Sequence, residues 1–339
     1  MKPARTIISL LFISIVLINC ADQPEGDKKM NEEPDKEQIS IVFAAYAESE
    51  EQLIHTYYLA ESIREFGGRY NKSPIWVYIP EGYDKLDADM EVKFTALGAE
   101  IKTSVTPKEA LWLYFAGKVF AAGKAEKEAV KKAQILVWMD EDTIVLQEPL
   151  EFELDDNIGF AYRPVMHNRS GSLYSEKPGP FWSRIYELLE VEENSLFPMV
   201  TPADRQTIKV YFNAGLLVVR PSYGILKNWG ESFETLYNDS TLVEMCKEDI
   251  EKRIFIHQTA LVSTVNILKQ KEMVELPASY NYPIFFHQQY EAVGDFCSIE
   301  DVVTLRYDVY FRNPDPEWGS KLKGSEKVVS WLKERLGKD

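Results

Sequence analysis

From Ile39 onward the chain alternates short apolar runs with longer stretches whose apolar residues recur at helical spacing. The run Ile39-Ser40-Ile41-Val42-Phe43-Ala44-Ala45 is rich in β-branched residues and predicts a buried strand. Helical periodicity from Glu50 to Phe66 stops at Gly67-Gly68, and Pro74 to Ile79 predicts a second strand closed by Pro80 and Gly82. A helix follows from Ala88 to Leu97, ended by Gly98, and Glu100 to Val105 is extended again. Pro107 to Ala133 reads as one long helix with Pro near its first turn, weakened only by Gly117 and Gly123. Ile135 to Met139 is continuously apolar, as in a strand buried on both faces. Alternation of this kind predicts an α/β fold with a mostly parallel central sheet flanked by helices. Ser325 to Leu336 predicts an amphipathic helix closing the domain. The sequence has no internal repeat and no Gly-rich phosphate loop of the two common patterns.

With 339 residues, 45% of them hydrophobic and 12% aromatic, the chain can bury a large core. A formal net charge of −16 argues against a nucleic-acid partner, because phosphate backbones would be repelled. The densest basic stretch, Lys124 to Lys132, is interleaved with Glu126 and Glu128 as on a solvated helix face. Lys2 and Arg5 precede an apolar segment from Thr6 to Ile18 that is too short to span a bilayer comfortably, so residues 1–20 read as a targeting segment. Leu17-Ile18-Asn19-Cys20 resembles the lipobox of bacterial lipoproteins, which implies a mature chain lipidated at Cys20 and held outside a membrane. A plain secretory signal and an uncleaved type II anchor in a secretory lumen are the alternatives. Residues 21–38 are polar and acidic and read as a flexible tether, which leaves 39–339 as a single domain. Cys246 and Cys297 can pair in an oxidising compartment or remain two buried thiols. Asn71, Asn168 and Asn238 each begin a glycosylation sequon, which matters only in a eukaryotic secretory pathway.

Candidate chemistry begins where the last apolar run ends. Asp140-Glu141-Asp142 should project from the carboxyl edge of the sheet on an exposed loop edge, where open α/β folds bind ligands. Two carboxylates one residue apart can reach one hard divalent cation and leave positions open for diphosphate oxygens. An acidic turn capping the next element is the plainer reading.

The segment from Ile135 to Leu150, with its Asp-x-Asp turn, resembles the metal-binding region of GT-A glycosyltransferases, particularly the glycogenin and lipopolysaccharide galactosyltransferase group of glycosyltransferase family 8. Tyr211-Phe212-Asn213-Ala214-Gly215-Leu216-Leu217 is similar to that group's Asn-x-Gly strand, and Glu275 to Asn281 to its Leu-Pro and Asn segment. The resemblance implies that Asp140 and Asp142 hold Mn2+ or Mg2+, with Glu141 between them beside the cofactor. It implies further that Asn213, Gly215 and Gln258 line the sugar site and that configuration is retained. Bottom-up, Gly215 in a strand marks close approach of a ligand or of packed backbone. His257-Gln258 opens a helical stretch to Leu268 and puts His where the family carries Asp. His257 is thus a candidate general base or metal ligand, or a structural hydrogen-bonding residue. Ala44-Ala45-Tyr46 resembles the loop that receives the nucleotide base, with Tyr46 stacking on it or lying in the core. Lys118 is placed either to reach donor phosphate or to lie solvated on the surface. The resemblance implies a third metal ligand, a His at the end of a late strand; no His stands in Val303 to Asp308, and Asp308 or His287 could ligate in its place.

The resemblance implies a metal-dependent transfer of sugar from a nucleoside-diphosphate donor to a carbohydrate, lipid or protein acceptor. A noncatalytic surface lipoprotein that binds carbohydrate or a partner on the same scaffold is the competing expectation. Mass spectrometry of the native protein is expected to show a chain starting at a diacylated Cys20, and a chain beginning at Met1 would refute the lipoprotein reading.

Overall fold

The apolar runs assemble into a seven-stranded sheet in a computed structural model that describes residues 40–286, 298–307 and 323–337. The targeting segment with Cys20, the tether, His287, Cys297 and Asp308 lie outside the described residues. In chain order the first elements are β1 (Ile41–Tyr46), α1 (Glu50–Phe66), β2 (Ile75–Pro80), α2 (Ala88–Ala96), β3 (Ala99–Ser104), α3 (Ala116–Ala129), β4 (Ile135–Met139) and β5 (Thr143–Val145). There follow β6 (Phe160–Pro164), α4 (Pro180–Leu188), β7 (Pro198–Val200), β8 (Thr207–Lys209), β9 (Phe212–Val219), α5 (Ile225–Tyr237), α6 (Ser240–Glu248) and α7 (Ile250–Thr259). The last are β10 (Met273–Glu275), β11 (Tyr282–Pro283), β12 (Thr304–Arg306) and α8 (Glu326–Leu336).

The sheet order is β10-β6-β9-β4-β1-β2-β3. Strands β3, β2, β1 and β4 run parallel, β9 is antiparallel to both its neighbours, and β10 is parallel to β6. The central strands β1, β4 and β9 are buried at every residue, which is why they appear in the sequence as continuous rather than alternating apolar runs. On one face Val42, Trp138 and Leu217 pack against Val119, Ala122 and Trp229 of α3 and α5. On the other, Phe43, Val137 and Leu216 pack against Leu53 and Ile63 of α1 and Phe94 of α2.

Two expectations need correcting here. Ala44 and Tyr46 belong to β1 itself and not to a loop after it. The segment from Pro107 is not one helix: it makes a short 3-10 turn at Lys108–Ala110, and α3 begins only at Ala116. Phe115 has φ of 62°, a left-handed conformation through which an α-helix cannot run. Tertiary contacts hold it there, since its ring lies 4.8 Å from the His257 ring and the Lys118 Nζ lies 4.9 Å from its centroid. Cys246 is a buried thiol whose pKa burial pushes up to about 11, and Cys297, with which it could pair, lies outside the described residues.

A smaller sheet brings a late strand to the acidic turn. β12 pairs antiparallel with β5 and parallel with β11, with Arg306 opposite Thr143 and Leu305 opposite Ile144. On the other side of the turn α3 is locked against α5. A side chain at Gly123 would put its Cβ 3.2 Å from the Leu226 carbonyl oxygen, a tight contact that the glycine relieves. Three residues on, the buried Glu126 accepts a hydrogen bond from the Lys227 N–H at 2.8 Å, in the first turn of α5, whose N-cap Gly224 offers no side chain.

Burial, opposed by those backbone donors, lifts the Glu126 carboxyl to about 7 from 4.5. A raised carboxyl favours the protonated folded state, so its stabilising part is complete below about pH 4.5 and is lost as pH rises through 7. That difference corresponds to roughly 3 kcal/mol. Denaturant titrations of Glu126→Gln are expected to lose this component of the pH dependence and to be more stable than the parent protein at pH 8. Parallel pH profiles for the two proteins would count against the assignment.

Candidate functional site

β4 ends at Met139, and the next residues turn out of the sheet at its carboxyl edge. The Thr143 N–H donates to the Asp140 carbonyl at 3.2 Å, and the Asp140 N–H donates to the Gly215 carbonyl at 2.9 Å. The second bond carries the β4–β9 ladder one residue beyond the strand and sets Gly215 against the carboxylates. A Cβ at Gly215 would stand 3.1 Å from Asp140 Oδ2, 3.0 Å from Asn213 Oδ1 and 3.0 Å from Arg306 Nη1. The glycine there serves close approach of polar groups, not a turn.

Asp140 and Asp142 are 7% and 4% exposed, so the expected exposed loop edge is not what the chain builds. Buried carboxylates demand counter-charges. Lys118, from the first turn of α3, is itself buried, and its Nζ lies 2.8 Å from Asp140 Oδ1 and 3.5 Å from the Ala214 carbonyl. Of the two readings open for Lys118, a solvated surface position is therefore ruled out. Arg306 arrives from β12 and grips Asp142 with both arms of its fork, Nε to Oδ1 at 3.2 Å and Nη2 to Oδ2 at 2.9 Å. The same Nη2 is 3.5 Å from Asp140 Oδ2. Glu141 leaves this cluster and accepts from Gln52 Nε2 of α1 at 3.0 Å. Burial, then the charges of Asp142 and Asp140, push the Glu141 carboxyl up to about 8.

Beside the carboxylates lies a cradle of amides. Asn213 Oδ1 accepts from the Gly215 N–H at 2.8 Å and from Asn281 Nδ2 at 3.1 Å. Gln258 Oε1 accepts from the Ala214 N–H at 3.0 Å. Asn281 adopts φ of 52°, a region Asn tolerates, and its N–H donates to Thr304 Oγ1 at 2.7 Å. Its buried Oδ1 has no partner. The structure thus brings together Lys118, Asp140, Asp142, Asn213, Gly215 and Gln258 from α3, the β4–β5 turn, β9 and α7.

Three candidates stand apart. His257 lies in the last turn of α7 and does not open a helical stretch; α7 ends at Thr259 and a 3-10 segment follows. The His257 Nδ1–H donates to the Ile254 carbonyl at 2.7 Å, and its ring packs on Phe115. Burial, and after it the Lys118 charge, hold its pKa well below 6.5, so the imidazole is neutral. This is the structural hydrogen-bonding role among the alternatives. Tyr46 is 6% exposed, its hydroxyl bonds Glu48 Oε2 at 3.2 Å, and a Cβ at Gly117 would strike it, which matches the core reading and not a stacking platform. Ala44 lies inside the sheet, paired with Trp76 and Trp138.

Arg306 and Asn281 were not singled out as site residues by sequence. Arg306 could have been flagged as a cation in the late segment where the resembling family carries its His; its pairing with Asp142 depends on the β5–β12 register, which no local pattern encodes.

Among the described residues, those at the acidic turn do not fit a bridging Mn2+ or Mg2+. Every oxygen of Asp140 and Asp142 faces a nitrogen of Lys118 or Arg306, and no group of three or more His, Cys, Asp or Glu able to hold a metal occurs among the described residues.

Residues 43–268, from β1 through α7 and beyond, match the Rhodobacterales glycosyltransferase domain family. The chain belongs to that family. It is a glycosyltransferase, with the acidic turn, Lys118, Asn213, Gly215 and Gln258 all inside the matched span. No curated protein matches the chain. Among solved structures, the apo bifunctional glycosyltransferase WbbM is 10% identical with a TM-score of 0.51, over 88% of this chain and 50% of WbbM, so the chain spans half the length of that protein. An active-site mutant of LgtC is 12% identical with a TM-score of 0.49, over 87% of this chain and 96% of LgtC. GlyE of Streptococcus pneumoniae is 16% identical with a TM-score of 0.40, over 89% and 62% of the two chains. At such identities the likeness to WbbM is one of fold, and that fold is GT-A.

Because Asp142 is buried against Arg306, its removal is a stability event. Asp142→Ala is expected to lower the unfolding free energy by roughly 2 to 4 kcal/mol, below the top of the range for a broken buried pair because the Arg306 side chain is 18% exposed. Asp142→Asn, which keeps the shape, should cost less. Urea unfolding that finds Asp142→Ala as stable as the parent would contradict the pairing.

Proposed function

We propose that the protein transfers a sugar from a nucleoside-diphosphate donor to a carbohydrate, lipid or protein acceptor, within the glycogenin and lipopolysaccharide galactosyltransferase group. The observation that carries this reading is the bare Gly215 backbone, whose missing Cβ would lie 3.0 Å from Arg306 Nη1, 3.0 Å from Asn213 Oδ1 and 3.1 Å from Asp140 Oδ2, with Lys118 Nζ on the other oxygen of Asp140. Cations and amides gathered at one sheet edge suit an anionic leaving group beside a hydroxyl-rich ring. In the reaction the bond from the anomeric carbon to the β-phosphate oxygen breaks, and its electron pair leaves on the diphosphate. An acceptor hydroxyl oxygen forms the new bond to that carbon, and its proton passes to the departing diphosphate. Negative charge grows on the diphosphate, and fixed cations in a largely buried site stabilise it without reorganising. Lys118 and Arg306 are the diphosphate-facing groups in this scheme, and Asn213, Asn281 and Gln258 orient the sugar. The neutral, enclosed His257 takes no part as a base. The divalent cation implied by resemblance has no step here, since the donor set does not fit it. Anchorage outside a membrane through Cys20 belongs to the same proposal.

Calorimetric titration of the full chain with UDP and with GDP, each with Mn2+ and each with EDTA, tests the donor site. Binding of at least one nucleotide under at least one condition is expected. Absence of binding in all four titrations would remove the transferase reading.

A further inference from the structure

The place where one ion would touch both carboxylates is filled by a side chain. Arg306 Nη2 lies 2.9 Å from Asp142 Oδ2 and 3.5 Å from Asp140 Oδ2, its Nε lies 3.2 Å from Asp142 Oδ1, and Lys118 Nζ lies 2.8 Å from Asp140 Oδ1. Resting on the donor-site reading above, we propose that Arg306, seconded by Lys118, stands in for a divalent cation, so that this site binds a nucleoside diphosphate without metal.

Arg306 is built into the position. It ends β12, whose register sets it opposite Thr143, and the next N–H, that of Tyr307, donates to the Asp142 carbonyl at 3.2 Å. Tyr307 is anchored in turn, its hydroxyl lying 2.7 Å from His55 Nδ1 of α1. The strand end that carries the guanidinium is therefore fixed against the acidic turn. A divalent ion seated on the carboxylates would have to displace the guanidinium and then lie beside two like charges in a largely buried place. The chemistry of the substitution is sound. A guanidinium stays protonated at any working pH, and its planar fork matches a carboxylate on one edge while other N–H groups meet phosphate oxygens. Arg306 Nη1 lies 3.0 Å from the Cβ position of Gly215, beside the Asn213 amide. Two single positive charges also balance the two carboxylates in number, as one divalent ion would.

The inference is tested first on the metal alone. In electron paramagnetic resonance titrations of the full chain, the free Mn2+ signal is expected to stay undiminished at equimolar protein. Arg306→His, which places a metal-ligating ring on the same strand end, is expected to quench it. Next come the nucleotide titrations: UDP or GDP should bind equally well in EDTA and in Mn2+. Arg306→Gln should weaken that binding by about tenfold or more, as expected for loss of charge-assisted hydrogen bonds, with Arg306→Lys in between. Circular dichroism melts check that the variants fold, and the Mn2+ titration of the unaltered protein decides the matter even if they do not. Nucleotide binding that appears only with Mn2+, or stoichiometric Mn2+ uptake by the unaltered protein, would overturn the inference and leave the donor site standing. No nucleotide binding under any condition would instead bring down the donor site, and this inference with it.

Discussion

Carboxylates that end an apolar strand can stay buried only if positive charge reaches them, and much of this protein's architecture delivers that charge. Asp140 and Asp142 leave β4 where the sheet is fully covered on both faces. Their counter-ions come from opposite directions, Lys118 from α3 and Arg306 from β12. Neither cation can arrive unless a larger element is seated first. α3 must close on α5 through Gly123 and Glu126, and β12 must pair in one register with β5. A slip of one residue in that register would turn Arg306 to the other face and strand Asp142. The site is thus a consequence of completed packing, and its charges in turn pin elements far apart in sequence.

Elements whose reason is local could be read from the chain. The limits of α1 and β4 agree with their apolar patterns, because a helix ended by two glycines and a strand buried on both faces leave unmistakable periodicities. The α/β alternation and the parallel half of the sheet follow from the same patterns. The start of α3 was not legible. Its helical composition extends back to Pro107, and only the packing of Phe115 on His257 forces the left-handed residue that delays the helix.

The candidate site was legible to the same degree. Asp140, Asp142, Asn213, Gly215 and Gln258 do converge, because each sits next to a motif that declares a strand end or a close approach. What the sequence hid was burial and partnership. An Asp-x-Asp turn looks exposed when read alone, and a lysine on a helix looks solvated; each becomes buried only because the other is there. Arg306 is silent for a related reason: its meaning lies 164 residues away, in Asp142. Tyr46 and His257 erred in the opposite direction. Both are polar aromatics near the right motifs, yet their polar atoms are already satisfied by Glu48 and by the Ile254 carbonyl.

Gly215 ties these points to function. Side-chain volume is withheld at the one spot where Asp140, Asn213 and Arg306 would all touch it within 3.1 Å. A protein built only for stability would bury fewer charges, since replacing buried ion pairs with apolar packing is often neutral or favourable. Keeping polar atoms crowded around bare backbone, with the buried Asn281 Oδ1 left without a partner close by, stabilises nothing by itself. Its physical sense is preorganisation. Donors and cations held at fixed distances stabilise a developing anion without first having to move, which is what the proposed transfer would demand of them.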